Sequence, residues 1–308
     1  MTINKKDINP LLLDGWLEFN RVKWGVKPVR VKFKAPNDAE VPSIEVVFFL
    51  NAKGKICVPP RNPYLGINFN PTPTDKQARL SNQWLEVADY LVEEMRDRGL
   101  ASTIGLPPHI TDVRPWQWNG FKAGVKYTFC ETFPYDINRA YRSVRKNINK
   151  AIKAGYVCSR TKDMNHVLPC LLETEERQGF DHQLTIKDLE LCSELLGDDH
   201  FRTYICYAPN GEPACAYIWL HCRGARAIGW VGGTRQSYQH SGVTQFIIKY
   251  SIDDLNVAGA TSIDLTGANI PSVAASKLQW GFKLTPYYTL GAYGIKQMAI
   301  WVRDWLNY

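Results

Sequence analysis

The stretch "VGGTRQSYQHSGV", residues 231–243, ends a strand-like run on two glycines and enters a helix-like run through Ser241 and Gly242. The first turn of a helix leaves N–H groups without partners and carries the positive end of the helix dipole. Beside a sheet opening, that arrangement suits a phosphate, a carboxylate or a developing oxyanion. Gly232 and Gly233 allow close backbone approach, Gly242 permits a tight helix entry, and Arg235 and Ser241 lie in the same loop. These five residues form the candidate donor-binding set, with a plain turn as the alternative reading. His240, beside the helix start, and Asp264, at the end of a short strand, are candidates to move a proton. A lone histidine beside a loop also serves structure alone.

A second feature is electrostatic. "RAYRSVRKNINKAIKAGYVCSRTK", residues 139–162, holds eight basic side chains and no acidic one, while the whole chain has a formal net charge of +7. The basicity is local, which points to one anionic partner rather than general stickiness. Asp136 can cap a helix here, and Ile137, Ala140, Tyr141, Val144, Ile148, Ala151 and Ile152 recur at spacings of three and four until Gly155. The strip therefore reads as an amphipathic helix held to a sheet by Ile148 and Ile152. Arg142, Arg145 and Lys146 are its candidate phosphate contacts, the alternative being a solvated face. In the Pro-, Asn- and Gly-rich loop 59–74, too broken for helix or strand interior, Arg61 and Tyr64 suit a sugar or peptide acceptor. Trp116 and Trp118 read as packing residues.

The elements that must position these groups follow from periodicity. Residues 75–98 carry an apolar helical stripe ended by Gly99, after a hairpin built from "VRVKFKA" and "SIEVVFFLN". Past the basic strip come helices over 167–178 and from Thr185 to about 196. Three strands at 201–208, 214–222 and 225–233 are joined by hairpin turns. A helix over 243–257, a strand at 262–265, a short helix near 272–280 and a strand near 283–290 complete the order.

The length of 308 residues and 45% apolar content fit a globular chain of two domains, divided here as 1–135 and 136–308. No C-x-x-C pair occurs among the eight cysteines, so buried free thiols are expected, with no metal site. No apolar run reaches the roughly 20 residues of a membrane span, and no signal peptide is recognisable, so the expected location is cytoplasmic.

Order and motifs together resemble the GNAT superfamily of N-acyltransferases, and within it the FemAB-like branch that includes peptidoglycan-bridge aminoacyltransferases and CelD-like proteins. The resemblance rests on "RSVRKNINKAIKAGYVCSR", "GGTRQSYQHSGVTQFIIKYSIDDLNVAGATSIDLTGA", "SKLQWGFKLTPYY" and "RPWQWNGFKAGVKYTF". It covers residues 114–290 well and the first hundred in outline. It implies an α+β fold, a GNAT-like mixed sheet flanked by helices, in two tandem domains with a cleft between them, the first degenerate. It also implies that Lys277, in the Lys-x-x-Trp-Gly segment, neutralises charge on a carbonyl oxygen under attack by an amine, and that Glu176 lies where the fold places acceptor contacts.

"RQSYQHSGV" departs from the Gly-rich loop of acetyl-CoA-dependent members, which leaves aminoacyl-tRNA and acyl-CoA both open as co-substrate, with no tightly bound cofactor. The expected activity is acyl or aminoacyl transfer to an amine on a peptide, sugar or lipid-linked cell-envelope precursor, with no DNA partner. The alternative is a catalytically silent protein that binds tRNA or a nucleotide sugar.

Overall fold

The computed structural model describes residues 9–35, 41–179, 181 and 183–292. These form two compact units, each discontinuous in sequence: described residues 24–126 and 286–292 make the first, and 9–23 and 127–285 the second. Among the described residues no helix is long and apolar enough to cross a membrane.

In chain order the elements begin with α1 (Asp14–Trp24), then β1 (Lys27–Lys34), β2 (Ser43–Leu50), β3 (Ile56–Cys57), β4 (Gly66–Asn70), α2 (Gln77–Arg98), β5 (Ile104–Gly105), α3 (Arg114–Trp118) and β6 (Phe121–Thr132). In the first unit β1, β3 and β4 all pair antiparallel with β2. The α2 stripe of Trp84, Val87, Ala88, Leu91, Val92 and Met95 is buried over this sheet's core, and Gly99, in a positive-φ conformation, stops the helix.

The remaining elements are α4 (Arg142–Lys153), β7 (Val157–Arg160), α5 (Met164–Gln178), α6 (Ile186–His200), β8 (Phe201–Tyr207), β9 (Pro213–Leu220), β10 (Arg226–Thr234), α7 (Val243–Val257), β11 (Ser262–Asp264), α8 (Pro271–Leu278) and β12 (Lys283–Ala292). The second unit's strands run in the order β6, β11, β10, β9, β8, β7. The β8–β9–β10 meander is antiparallel, β10 and β11 are parallel, and β11 and β6 are antiparallel, so the sheet is mixed. Val144, Ile148 and Ala151 of α4 and Val243, Ile247 and Leu255 of α7 share one core with Cys215 and Trp219 of β9. On the other face α5 lies on β9 and β10. The Trp230 ring packs edge-on against Trp16 and Phe19 of α1 at 5.5 and 5.8 Å, which ties the 9–23 segment to this unit.

Several expectations are corrected. Asp136 does cap, but only a 3-10 turn over Ile137–Arg139; Ala140 is extended, and the basic helix starts at Arg142. Tyr141 and Ile152 are exposed, so Val144, Ile148 and Ala151 hold α4 down and Ile152 does not. The loop 59–74 contains strand β4, formed from its proline-free piece "GINFN". Trp116 is buried as expected, whereas Trp118 is 65% exposed with the Arg114 guanidinium 5.5 Å above its ring. The eight cysteines are free thiols, seven of them buried.

Candidate functional site

The second unit contains a fork in its sheet. Parallel pairing of β10 with β11 lasts three residues, Arg226–Ser262 to Ile228–Asp264, and the Thr266 hydroxyl then donates to the Gly229 carbonyl at 2.7 Å. At Trp230 the pairing of β10 with β9 shifts register, a β-bulge, and β10 continues to Thr234 with β9 alone. From Gly229 to Thr234 the edge of β10 that faces away from β9 thus has no strand partner among the described residues. At about 3.3 Å per residue it runs roughly 16 Å. The Thr234 N–H at the far end donates to the Thr174 hydroxyl at 2.9 Å and Arg235 N–H returns to Ala214 of β9 at 2.9 Å. Alternation along the strand then turns the N–H and C=O of Gly232 to the open side.

Past that end the chain enters α7. Gly242 is its N-cap, with φ +90° and no side-chain cap; Ser241 Oγ donates to Tyr238 O at 2.5 Å and lies 3.4 Å from the Val243 N–H. The glycines have packing reasons. A Cβ on Gly233 would lie 2.1 Å from the Cys170 carbonyl oxygen of α5, one on Gly242 2.1 Å from the Asn147 carbonyl oxygen of α4, and one on Gly232 2.5 Å from the Tyr217 ring. Close approach of backbone is therefore required here by neighbouring elements of the chain itself. Arg235 is paired with Glu173 at 2.7 Å. His240 is exposed, and its carbonyl accepts from Lys150 Nζ at 2.6 Å, which brings a cation of α4 to the entrance of α7.

At the closed end of the fork Asp264 is fully buried, its Oδ1 accepting from the Thr128 hydroxyl at 2.5 Å and the Thr266 N–H at 2.8 Å. Asp264 sits level with Ile228, six residues of β10 below Thr234, about 20 Å along the strand. His240 follows the far end of the strand, beside the start of α7. Lys277 projects from α8 onto the turn after β11 and donates to the carbonyls of Leu265, at 2.7 Å, Thr266 and Gly267, at 3.0 Å. Burial pulls its ammonium down to about 8, with Asp264 acting in the opposite sense.

The basic strip divides by position. Arg139 pairs with Glu131 at 2.9 Å, Lys162 with Asp198 at 2.5 Å, and Arg145 donates to Asn138 at 3.0 Å. Arg142 and Lys146 are exposed and, with Lys153, form a stripe opposite the buried face of α4, with no acidic partner among the described residues. Asn147 and Lys150 touch the α7 entrance; Arg142, Arg145 and Lys146 make no described contact with it. Glu176 is exposed on α5. Arg61 and Tyr64 belong to the first unit, where Arg61 is exposed at φ +63° and Tyr64 is 3% exposed, packed edge-on against Tyr287 at 5.2 Å. Sequence reasoning missed Lys150 as a site residue, although it lay in the strip, and missed Tyr217, Thr128 and Thr266 entirely.

Comparison with known proteins finds related folds for this arrangement. Residues 138–271 match the acetyltransferase (GNAT) domain model. The fold is similar to that of FemX, at a TM-score of 0.64 and 14% identity over 91% of this chain and 92% of that one. L-PGS from Bacillus licheniformis superposes at a TM-score of 0.56 and 10% identity over 98% of each chain. No curated protein matches the chain in sequence. Residues 138–271 thus resemble a GNAT acetyltransferase domain, and the fold as a whole is similar to that of FemX.

Proposed function

We propose that the protein is an N-acyltransferase that moves an aminoacyl or simple acyl group from aminoacyl-tRNA or an acyl-CoA to an amine on a peptide, sugar or lipid-linked cell-envelope precursor. The observation that carries this reading is the fork. An open strand edge about 16 Å long runs from the α7 entrance to the Lys277 turn, inside a GNAT domain. Phosphates of a donor fit the uncapped first turn of α7, next to Lys150. An extended arm fits along Gly232, which offers main-chain N–H and C=O groups, and the acyl carbonyl then lies near the closed end. Lys277 holds the 265–267 turn and adds positive potential there. Positioning the amine beside the activated carbonyl supplies much of the rate, so no separate strong base is required. The exposed stripe of Arg142, Lys146 and Lys153 suits the phosphates of a tRNA, and the free thiols suit a reducing cytoplasm.

The test is a donor screen by mass spectrometry. Purified protein is incubated with charged tRNA pools or an acyl-CoA set, together with peptide, amino-sugar and aminolipid acceptors. Catalysed appearance of an acylated amine supports the proposal. Binding of charged tRNA with no acyl loss to any acceptor favours the silent binding protein.

A further inference from the structure

Lys277 lies at the turn that closes the fork, yet its three N–H donors already face three backbone carbonyls. The reacting carbonyl needs a donor that is not committed. Tyr217 of β9 supplies one. Its ring lies over the two glycines of β10 on its face: a Cβ on Gly232 would fall 2.5 Å from the ring, and one on Gly229 3.1 Å from the Tyr217 hydroxyl and 3.3 Å from the Asp264 carbonyl oxygen. Gly229 and Gly232 therefore make a trough that the tyrosine fills, with its hydroxyl at the place where β10 and β11 part. Trp219, with ring centroids 5.2 Å apart, supports the ring from one side. The side chain is partly exposed, and the hydroxyl has no hydrogen-bond partner among the described residues while remaining within reach of solvent.

We infer that Tyr217 is a catalytic residue of the acyl transfer proposed above, its hydroxyl donating a hydrogen bond to the acyl carbonyl oxygen at the fork, while Lys277 is a positioning residue that shapes the 265–267 turn. The inference rests on the acyl-transfer reading. In the step it serves, the amine nitrogen bonds to the acyl carbon and the carbonyl π pair moves to oxygen, where the Tyr217 O–H meets it. The pair then returns, the bond to the leaving oxygen or sulfur breaks, the amine gives up a proton to solvent and the leaving atom takes one from solvent. Tyr217 stays protonated throughout, and burial, which pushes its phenol above the ordinary value of 10, favours that form.

The test uses the full chain, its Tyr217→Phe variant and two probes labelled with 13C at the carbonyl: acetyl-CoA, and a short RNA hairpin carrying an alanyl ester. Isotope-edited infrared spectroscopy reads the carbonyl stretch of bound probe, and mass spectrometry reads transfer to amines. Wild type should shift the stretch of the productive probe to lower frequency. Tyr217→Phe, which still fills the trough, should bind with unchanged KM, abolish the shift and lower kcat by roughly 100-fold, as loss of one oxyanion donor does. Equal kcat and equal carbonyl frequency in both proteins would overturn the role of Tyr217 while leaving the transfer reading intact. A tyrosine-dependent shift with no transfer to any amine would sink the transfer reading and keep the hydrogen bond. If neither probe binds, both ideas fall.

Discussion

Gly242→Ala tests the entrance to α7 most sharply, because two independent penalties meet there. The residue has φ +90°, where a side chain costs about 1–2 kcal/mol. Its Cβ would also stand 2.1 Å from the Asn147 carbonyl oxygen of α4, which must move by more than 1 Å to reach ordinary contact. Overpacking of that kind costs about 1–3 kcal/mol. Together the substitution should destabilise the second unit by roughly 2–5 kcal/mol, or about 5–15 °C in Tm for a unit of this size. Gly211→Ala is the control: it lies in the same unit at φ +83°, with nothing within 4 Å of its Cβ, so only the conformational term applies. Urea denaturation of both variants beside wild type separates the two terms. Equal losses for the two substitutions would refute the close approach of α4 to α7 on which the donor entrance depends.

Other consequences are equally direct. Asp254 accepts from the buried Arg202 guanidinium at 2.7 Å and the Tyr204 hydroxyl at 2.6 Å, so Asp254→Asn should cost about 3 kcal/mol by thermal or chemical denaturation. Asp253→Asn, which disturbs only the surface pair with Lys249, should cost under about 0.5 kcal/mol. Lys277 releases its proton near pH 8 when folded and near its ordinary 10.5 when unfolded, so the unfolded chain binds more protons between those values. Wild-type stability relative to Lys277→Met should therefore rise from pH 8 to 10.5; a flat or falling difference contradicts the buried ammonium. Replacing Arg142, Lys146 and Lys153 by glutamine should flatten the salt dependence of RNA-hairpin binding by about 2 in log–log slope, and an unchanged slope would remove the stripe from any donor contact.

The elements of the second unit were legible because their signals are local. Alternating apolar residues separated by "PNGEP" and "RG" mark the β8–β9–β10 meander, and Thr185 with Asp188 forms the capping box that starts α6. The fork was not legible, since it depends on β11 leaving β10 after three pairs and on a bulge at Trp230 that no periodicity announces. Gly233 and Gly242 stood out as residues, but their reason, contact with the main chains of α5 and α4, is long-range. Tyr217 was hidden in the apolar run "ACAYIWL", where a tyrosine reads as core until the glycines opposite it are paired with it. The basic strip was visible as charge, yet which of its members reaches α7 depends on the packing of α4 against the α7 entrance, a long-range contact.

Amide hydrogen exchange with and without donor tests the central claim most directly, because the account specifies where along the chain a donor must lie. Addition of the donor found in the screen should slow exchange at the Gly232 amide on the open edge of β10 and at Thr244 and Gln245 in the first turn of α7, with β8 unchanged. Protection confined to other segments, or none at a concentration that saturates turnover, would contradict a donor bound along the fork.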